Sequence, residues 1–195
     1  MVEISRRREI EDAASVLFHA RGYVATSVRD IADALSIRGP SLYAHVASKE
    51  DVLAAIVERV ADRFEQRADA AATATDGQDA AARLDALVRG HVRAVTTDPG
   101  AASVFVDEWR HLSEPRRAAI LERRDAYERR FRDVIAEGRS DGSFVLVDPT
   151  IAAAFLLTAL NGITDWYRVD GHLSSDQVAD AYADLALRSL TEATR

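Results

Sequence analysis

Residues 26–49, TSVRDIADALSIRGPSLYAHVASK, decide how this chain folds. Thr26 and Ser27 offer hydroxyl caps, and Val28, Ile31, Ala32 and Leu35 recur at the spacing of one helix face. Ser36 and Ile37 interrupt that helix. Gly39 and Pro40 open another, because proline lacks only an N–H that the first helical turn leaves unused. Leu42 and Val46 point back to a small core, whereas Ser41, Tyr43 and His45 project outward behind Arg38. An exposed face of hydrogen-bonding groups on a short second helix is what the major groove of DNA accepts. Ser48 caps a third helix with Asp51 three residues on, and Lys49, the only lysine among 25 basic residues, stands in its first turn. A phosphate is the expected guest of that ammonium. The expected DNA contacts are therefore Thr26, Ser27, Arg38, Gly39, Ser41, Leu42, Tyr43, His45 and Lys49.

The order of these signals resembles the DNA-binding domain of the tetracycline-repressor (TetR) family of bacterial regulators. The family pattern runs glycine, threonine, a stretch like Val28-Arg29-Asp30-Ile31-Ala32, then Leu42-Tyr43, His45 and Ser48-Lys49-Glu50, covering about residues 6–53. Ser36 stands where the family usually has glycine in the turn, and Val46 where an aromatic residue usually closes the core. The resemblance implies a ligand-responsive repressor, acting as a dimer on a palindromic double-stranded operator.

Composition sets the boundaries. The 195 residues suffice for one sizeable core and a small satellite domain, and their Ala, Leu, Arg and Glu content points to an all-α chain. The expected division is a three-helix head over 1–48 and a helical ligand-binding and dimerisation domain over 49–195. The absence of cysteine removes disulfides and thiolate metal sites. No leader pattern opens the chain, and the apolar run at 151–157 is far too short for a bilayer, so a cytoplasmic protein without membrane contact is expected. The net charge is −7, yet residues 1–47 hold six arginines against six acids, so the excess acidity lies beyond the head. Bulk attraction to DNA is then weak, and binding rests on placed contacts duplicated in a dimer. Arg6, Arg7 and Arg8 read equally as a phosphate-binding arm or as solvated helix surface screened by Glu9, Glu11 and Asp12.

Beyond Lys49 the chain reads as further helices, about nine in all, punctuated at Asp76-Gly77, Asp98-Pro99-Gly100, Ser113 to Pro115, Gly138, Asp148-Pro149 and Ser174. The penultimate helix, expected to run from Pro149 to about Arg168, is apolar at almost every position between Ile151 and Ile163. A helix without a polar face must be covered on all sides. A partner subunit is the expected cover, with the last helix (Val178, Tyr182, Leu185, Leu190) completing a four-helix homodimer interface. Two heads about 34 Å apart would then meet successive major grooves. Thr158, Asn161 and Asp165 interrupt the apolar helix along one face. With Phe105, Trp109, Tyr127, Phe131 and Leu157 they form the expected pocket for a small hydrophobic effector. No separate cofactor or metal is implied.

The stretches Asp107-Glu108-Trp109-Arg110-His111-Leu112 and Trp166-Tyr167-Arg168, followed by Gly171, Leu173 and Ser174, are similar to a TetR subgroup of fatty-acid and steroid-catabolism regulators. That resemblance implies an acyl-coenzyme A thioester as effector, with Arg116, Arg117, Arg123 and Arg124 as candidate phosphate partners at a pocket mouth. Some members carry a basic and an aromatic residue where this chain has Leu157 and Asn161. Two other classes compete with a regulator. One is a dimeric ligand-binding or scaffolding protein without specific DNA binding; the other is a small helical enzyme. The five histidines show no HExxH spacing, and neither GxSxG nor a glycine-rich phosphate loop occurs, so an enzyme is not expected. Glu108 and His111, three apart, are the nearest approach to a catalytic or metal pair.

Overall fold

The computed structural model describes residues 5–145 and 148–191. Its described residues form helices and connecting turns, with no strand among them. They are α1 (Arg6–Arg21), α2 (Val28–Ala34), α3 (Gly39–Tyr43), α4 (Lys49–Ala74), α5 (Ala80–Thr97), α6 (Pro99–Asp107), α7 (Arg116–Asp141), α8 (Pro149–Asn161), α9 (Ile163–Trp166) and α10 (Ser175–Leu190). A single 3-10 turn, Trp109–His111, follows α6. Counting α8 and α9 as one helix interrupted at Gly162 gives the nine expected. The last helix ends at Leu190, and Glu192, near which its end was expected, lies outside the described residues.

Two compact units result, Met1–Ala61 with Gly100–Leu121, and Asp62–Pro99 with Glu122–Arg195. They are drawn differently from the sequence boundary at 48/49. The start of α4 belongs with the first unit because its first turn is bonded there: Glu50 accepts from the Ser113 amide (3.1 Å) and hydroxyl (2.6 Å), and Asp51 pairs with Arg116 at 2.5 Å. These contacts hold both carboxyls below their usual range, Glu50 chiefly through Ser113 and Asp51 chiefly through Arg116.

The core of the first unit follows the apolar spacing. Ile10, Ala14 and Phe18 of α1, Ile31 and Ala32 of α2, Leu42 of α3, Val46, and Val52, Leu53, Ile56, Val57 and Val60 of α4 are all buried. Val46, where an aromatic was the family's usual choice, is sealed in with the rest. Ser5 caps α1, and the three arginines behind it bond to acids one turn on: Arg6 to Glu9 (2.5 Å), Arg7 to Glu11 (3.3 Å) and Arg8 to Asp12 (3.0 Å). All three arginines lie on the helix surface in pairs of this kind, the setting of the solvated-surface reading.

In the second unit α5 and α10 lie side by side. Arg89 pairs with Asp180, Arg93 with Asp176 at 3.1 Å, and the Thr96 and Ser175 hydroxyls meet at 2.6 Å. α10 starts in the Ser174–Gln177 capping box that its sequence announces. Gly138, read as the end of a helix, instead lies inside α7. A Cβ there would overlap the ring of Phe144, whose amide donates to the Gly138 carbonyl at 2.9 Å. The glycine is a notch for an aromatic ring rather than a stop.

Candidate functional site

The reading head is built from three local devices. Ser27 caps α2 in a reciprocal box, its hydroxyl accepting from the Asp30 amide (3.1 Å) while Asp30 accepts from the Ser27 amide (2.7 Å). The Ser27 bonds depress the Asp30 carboxyl. The turn after α2 places Ser36 at φ 55°, the left-handed region that favours glycine. Its amide bonds to the Asp33 carbonyl and that of Ile37 to the Ala32 carbonyl, both at 3.0 Å, which is a Schellman helix end. The family's glycine is explained by that dihedral, and serine adopts it here without loss of the turn. α3 then begins at Gly39, with Arg38 at the N-cap position and Pro40 in its first turn.

On this frame Ser27, Arg38, Ser41, Tyr43 and His45 are exposed, Tyr43 at 56%, and Gly39 is half-buried. Arg38 makes no ion pair among the described residues. Two expected contacts are corrected. Thr26 is 1% exposed and its hydroxyl donates to the Gly22 carbonyl at 2.9 Å; Leu42 is likewise 1% exposed. Both are spent on the core that holds the helices at their angle. Lys49 is a third correction. Its ammonium donates to the carbonyls of Tyr23 and Thr26, each at 2.8 Å, and lies 4.0 Å from the centroid of the Tyr23 ring. Two of its three N–H groups therefore face inward, where the carbonyls closing the α1–α2 turn need donors. Lys49 staples the turn instead of standing open to a phosphate.

Tyr23 also stacks on His111 (5.4 Å, 23°), and His111 Nε2 lies 3.2 Å from Glu108. The Glu108–His111 pair is thus a brace within the first unit, beneath the stapled turn. Among the described residues no group of three His, Cys, Asp or Glu side chains is placed to hold a metal.

The expected effector residues divide between the units. Phe105 and Trp109 belong to the first and are buried there. In the second, Phe131 is fully buried, Tyr127 half-buried, and Asn161 and Leu157 half-buried. Thr158 and Asp165 are exposed, the Thr158 hydroxyl turning back to the Ala154 carbonyl at 2.7 Å. They are corrected out of an interior pocket: of the three polar positions only Asn161 turns partly inward, and the helix is interrupted at Gly162 just after it. The exposed face of α8 is instead Ile151 (68%), Ala154 and Phe155 (62%), joined in kind by Leu185 of α10 (62%). Val178 and Leu190, expected at a partner interface, are buried within their own chain. Three of the four arginines in the row have acidic partners: Arg116 binds Asp51, Arg117 binds Glu114 (2.8 Å), and Arg123 binds Glu65 (2.7 Å) and Asp62 (2.6 Å).

One interior polar residue went unnoticed in the sequence. His91 of α5 is 2% exposed, among Phe64 (4.7 Å between ring centroids), Tyr127 (5.8 Å) and Phe131 (6.3 Å). Its Nδ1 lies 3.2 Å from the Tyr127 hydroxyl. Burial lowers its pKa to about 3, against the raising effect of a hydrogen bond with the Asn161 side chain. The signal was present, since His91 falls on the same stripe as Leu84, Leu87, Val88 and Val95, where only apolar residues are needed.

A short exposed helix carried by a capped helix-turn-helix, in a chain whose described residues are otherwise helical, defines a helix-turn-helix transcription regulator. Residues 10–56 match the bacterial regulatory proteins of the tetR family, and residues 77–190 the tetracyclin repressor-like C-terminal domain. The chain belongs to the TetR family. It is 35% identical over 188 residues to the HTH-type transcriptional repressor KstR2 of Rhodococcus jostii, covering 95% of this chain and 91% of that protein. The solved structure of the ketosteroid transcriptional regulator KstR2 of Mycobacterium tuberculosis superposes with a TM-score of 0.90 at 29% identity, covering 99% of this chain and 98% of the other. AibR, solved in complex with isovaleryl coenzyme A and operator DNA, superposes with a TM-score of 0.80 at 29% identity, over 93% and 97% of the two chains.

Proposed function

We propose that this protein is a dimeric, effector-released repressor that reads a palindromic operator with Arg38, Ser41, Tyr43 and His45, assisted by Ser27 and the Gly39 backbone. The observation that carries the reading is the outward cluster on α3, with Thr26, Leu42 and Lys49 turned inward beneath it. Each group on that face offers hydrogen bonds of the kind base edges and phosphates accept. The partner-facing surface is the apolar face of α8 with Leu185 of α10, since apolar side chains more than 60% exposed on adjoining helices are stabilised by burial against a copy of themselves. The effector is a hydrophobic small molecule taken into the body; the KstR2 relatives and the AibR complex support a steroid-related molecule or an acyl-CoA thioester. An effector shifts operator affinity only by its difference in affinity for the two states, about 1–3 kcal/mol for ordinary coupling. α4, which starts in one unit and ends in the other, is the element that transmits it.

The test is selection of genomic fragments by purified protein at several salt concentrations, followed by the same measurement on Arg38→Ala and Tyr43→Ala. Retention of discrete palindromic fragments is expected, with Arg38→Ala losing about 1–3 kcal/mol and relaxing base preference at one position of each half-site. Equal retention of all fragments, or variants indistinguishable from the parent, would overturn the reading.

A further inference from the structure

Two acids of α1 that its own arginines hold are also gripped from α4. Arg59 donates from one end of its guanidinium to Glu11 at 2.5 Å and from the other end to Asp12 at 3.3 Å, across 48 and 47 residues of sequence. Arg7 and Arg8 reach the same two carboxylates from the preceding turn, at 3.3 and 3.0 Å. Arg7, Arg8, Glu11, Asp12 and Arg59 so form one network joining α1 to α4. Its covered members are Arg59 and Glu11, with 17% and 11% of their side chains exposed. Arg59 stands three residues after Ile56 and seven after Val52, on the face those residues bury, where helical spacing calls for an apolar side chain. A covered ion pair contributes little net stability, because removing two charges from water offsets most of their attraction; apolar side chains of similar volume often replace it without loss. What it adds is direction. The apolar side chains of Ile10, Ala14 and Phe18 pack without a preferred angle, whereas a planar guanidinium meets carboxylates at fixed angles. Successive residues lie about 100° apart around a helix. One fork engaged by both Glu11 and Asp12 therefore fixes α1 along α4 and around its own axis together.

We propose that Arg59 is a positioning residue for operator reading, and that its fork onto Glu11 and Asp12 sets how narrow a range of half-site spacings the dimer accepts. This role rests on the dimeric operator reading proposed above and adds to it the joint that holds each head at one angle on α4, a helix continuous from Lys49 to Ala74. One base pair more or less between half-sites displaces the second by about 3.4 Å and turns it by about 34°. A fixed head cannot follow that change, and a loosely jointed one can.

The experiment uses the full chain, the palindromic fragments it retains, and synthetic duplexes carrying the same half-sites one base pair closer together or farther apart. The parent is expected to bind the selected spacing at least about tenfold more tightly than either altered one. Glu11→Leu combined with Arg59→Met removes the covered pair without stranding a charge, since Asp12 keeps Arg8. That double variant is expected to unfold in urea close to the parent, to keep the base preference within each half-site, and to bind the three spacings within about threefold of one another, as lost preorganisation requires. Arg59→Lys keeps the charge as a compact ammonium without the fork and is expected to flatten the spacing preference likewise. It decides alone if the double variant does not fold. A parent that binds all three spacings equally, or a folded variant that keeps the parent's tenfold preference, would overturn the role of Arg59 and leave operator reading intact. A parent that retains no palindromic fragment would overturn operator reading itself, and the role of Arg59 with it.

Discussion

Replacing Lys49 with methionine separates a staple from a phosphate contact. The ammonium makes two charge-assisted bonds of 2.8 Å to the Tyr23 and Thr26 carbonyls and rests on the Tyr23 ring. Charge-assisted bonds contribute about 1.5–3 kcal/mol each when buried. Lys49 is half-exposed, so about 1 kcal/mol apiece is the appropriate scale, with roughly 0.5 kcal/mol from the ring. Methionine keeps the apolar stem and removes both bonds. The expected loss is about 2 kcal/mol of stability, which lowers the melting temperature by about 4–8 °C in a chain of this size. Urea unfolding supplies the stability change, and hydrogen exchange locates it, since protection is expected to fall at the turn before α2. Operator binding at several salt concentrations supplies the other arm. A lost phosphate contact reduces the slope of log affinity against log salt by about 0.9, whereas a lost staple leaves the slope as it was. Unchanged stability together with a reduced slope would refute the geometry argued for Lys49.

Three further outcomes are expected. Ser36→Gly relieves a left-handed backbone that costs a side chain about 1 kcal/mol, partly offset by glycine's greater freedom when unfolded; a net gain of about 0.5 kcal/mol in urea unfolding, with operator affinity retained, is the result to look for. His91 is neutral when folded with a pKa of about 3, below its unfolded value near 6.5, so the unfolded chain binds the extra proton and stability falls as pH drops through that window. Relative to the parent, His91→Phe is expected to lose less stability on acidification, by about 1.4 kcal/mol per pH unit between roughly pH 6 and 4, measured by parallel denaturation at each pH. Phe155→Glu places a charge in the exposed apolar face of α8 and is expected to yield monomers in sedimentation, with operator affinity falling because the two heads are no longer joined.

Much of the head was legible because its signals are local. A hydroxyl followed three residues on by an acid or its amide specifies a helix start, and Ser27–Asp30, Ser48–Asp51 and Ser174–Gln177 all cap as their spacing implies. Proline after glycine at 39–40 opens α3 for the same reason, and the apolar positions 31, 32, 42 and 46 are inside because one face of each short helix has only the core to meet. The exposure of Arg38, Ser41, Tyr43 and His45 follows from that same periodicity. Periodicity cannot say what a long side chain does at its far end. Lys49 and the arginines of α1 and α7 have flexible stems, and their charges go to whichever partner the folded chain brings near.

The local code of caps, breakers and helical spacing thus determined the helix order, the helix-turn-helix and its outward face, since each depends on residues only three or four positions apart. Tertiary structure alone decided that Lys49 closes a turn, that Gly138 admits Phe144, and that His91 sits with Tyr127 and Phe131. Those facts depend on partners as much as 40 positions apart, whose meeting is set by how helices pack and not by the pattern within any one of them.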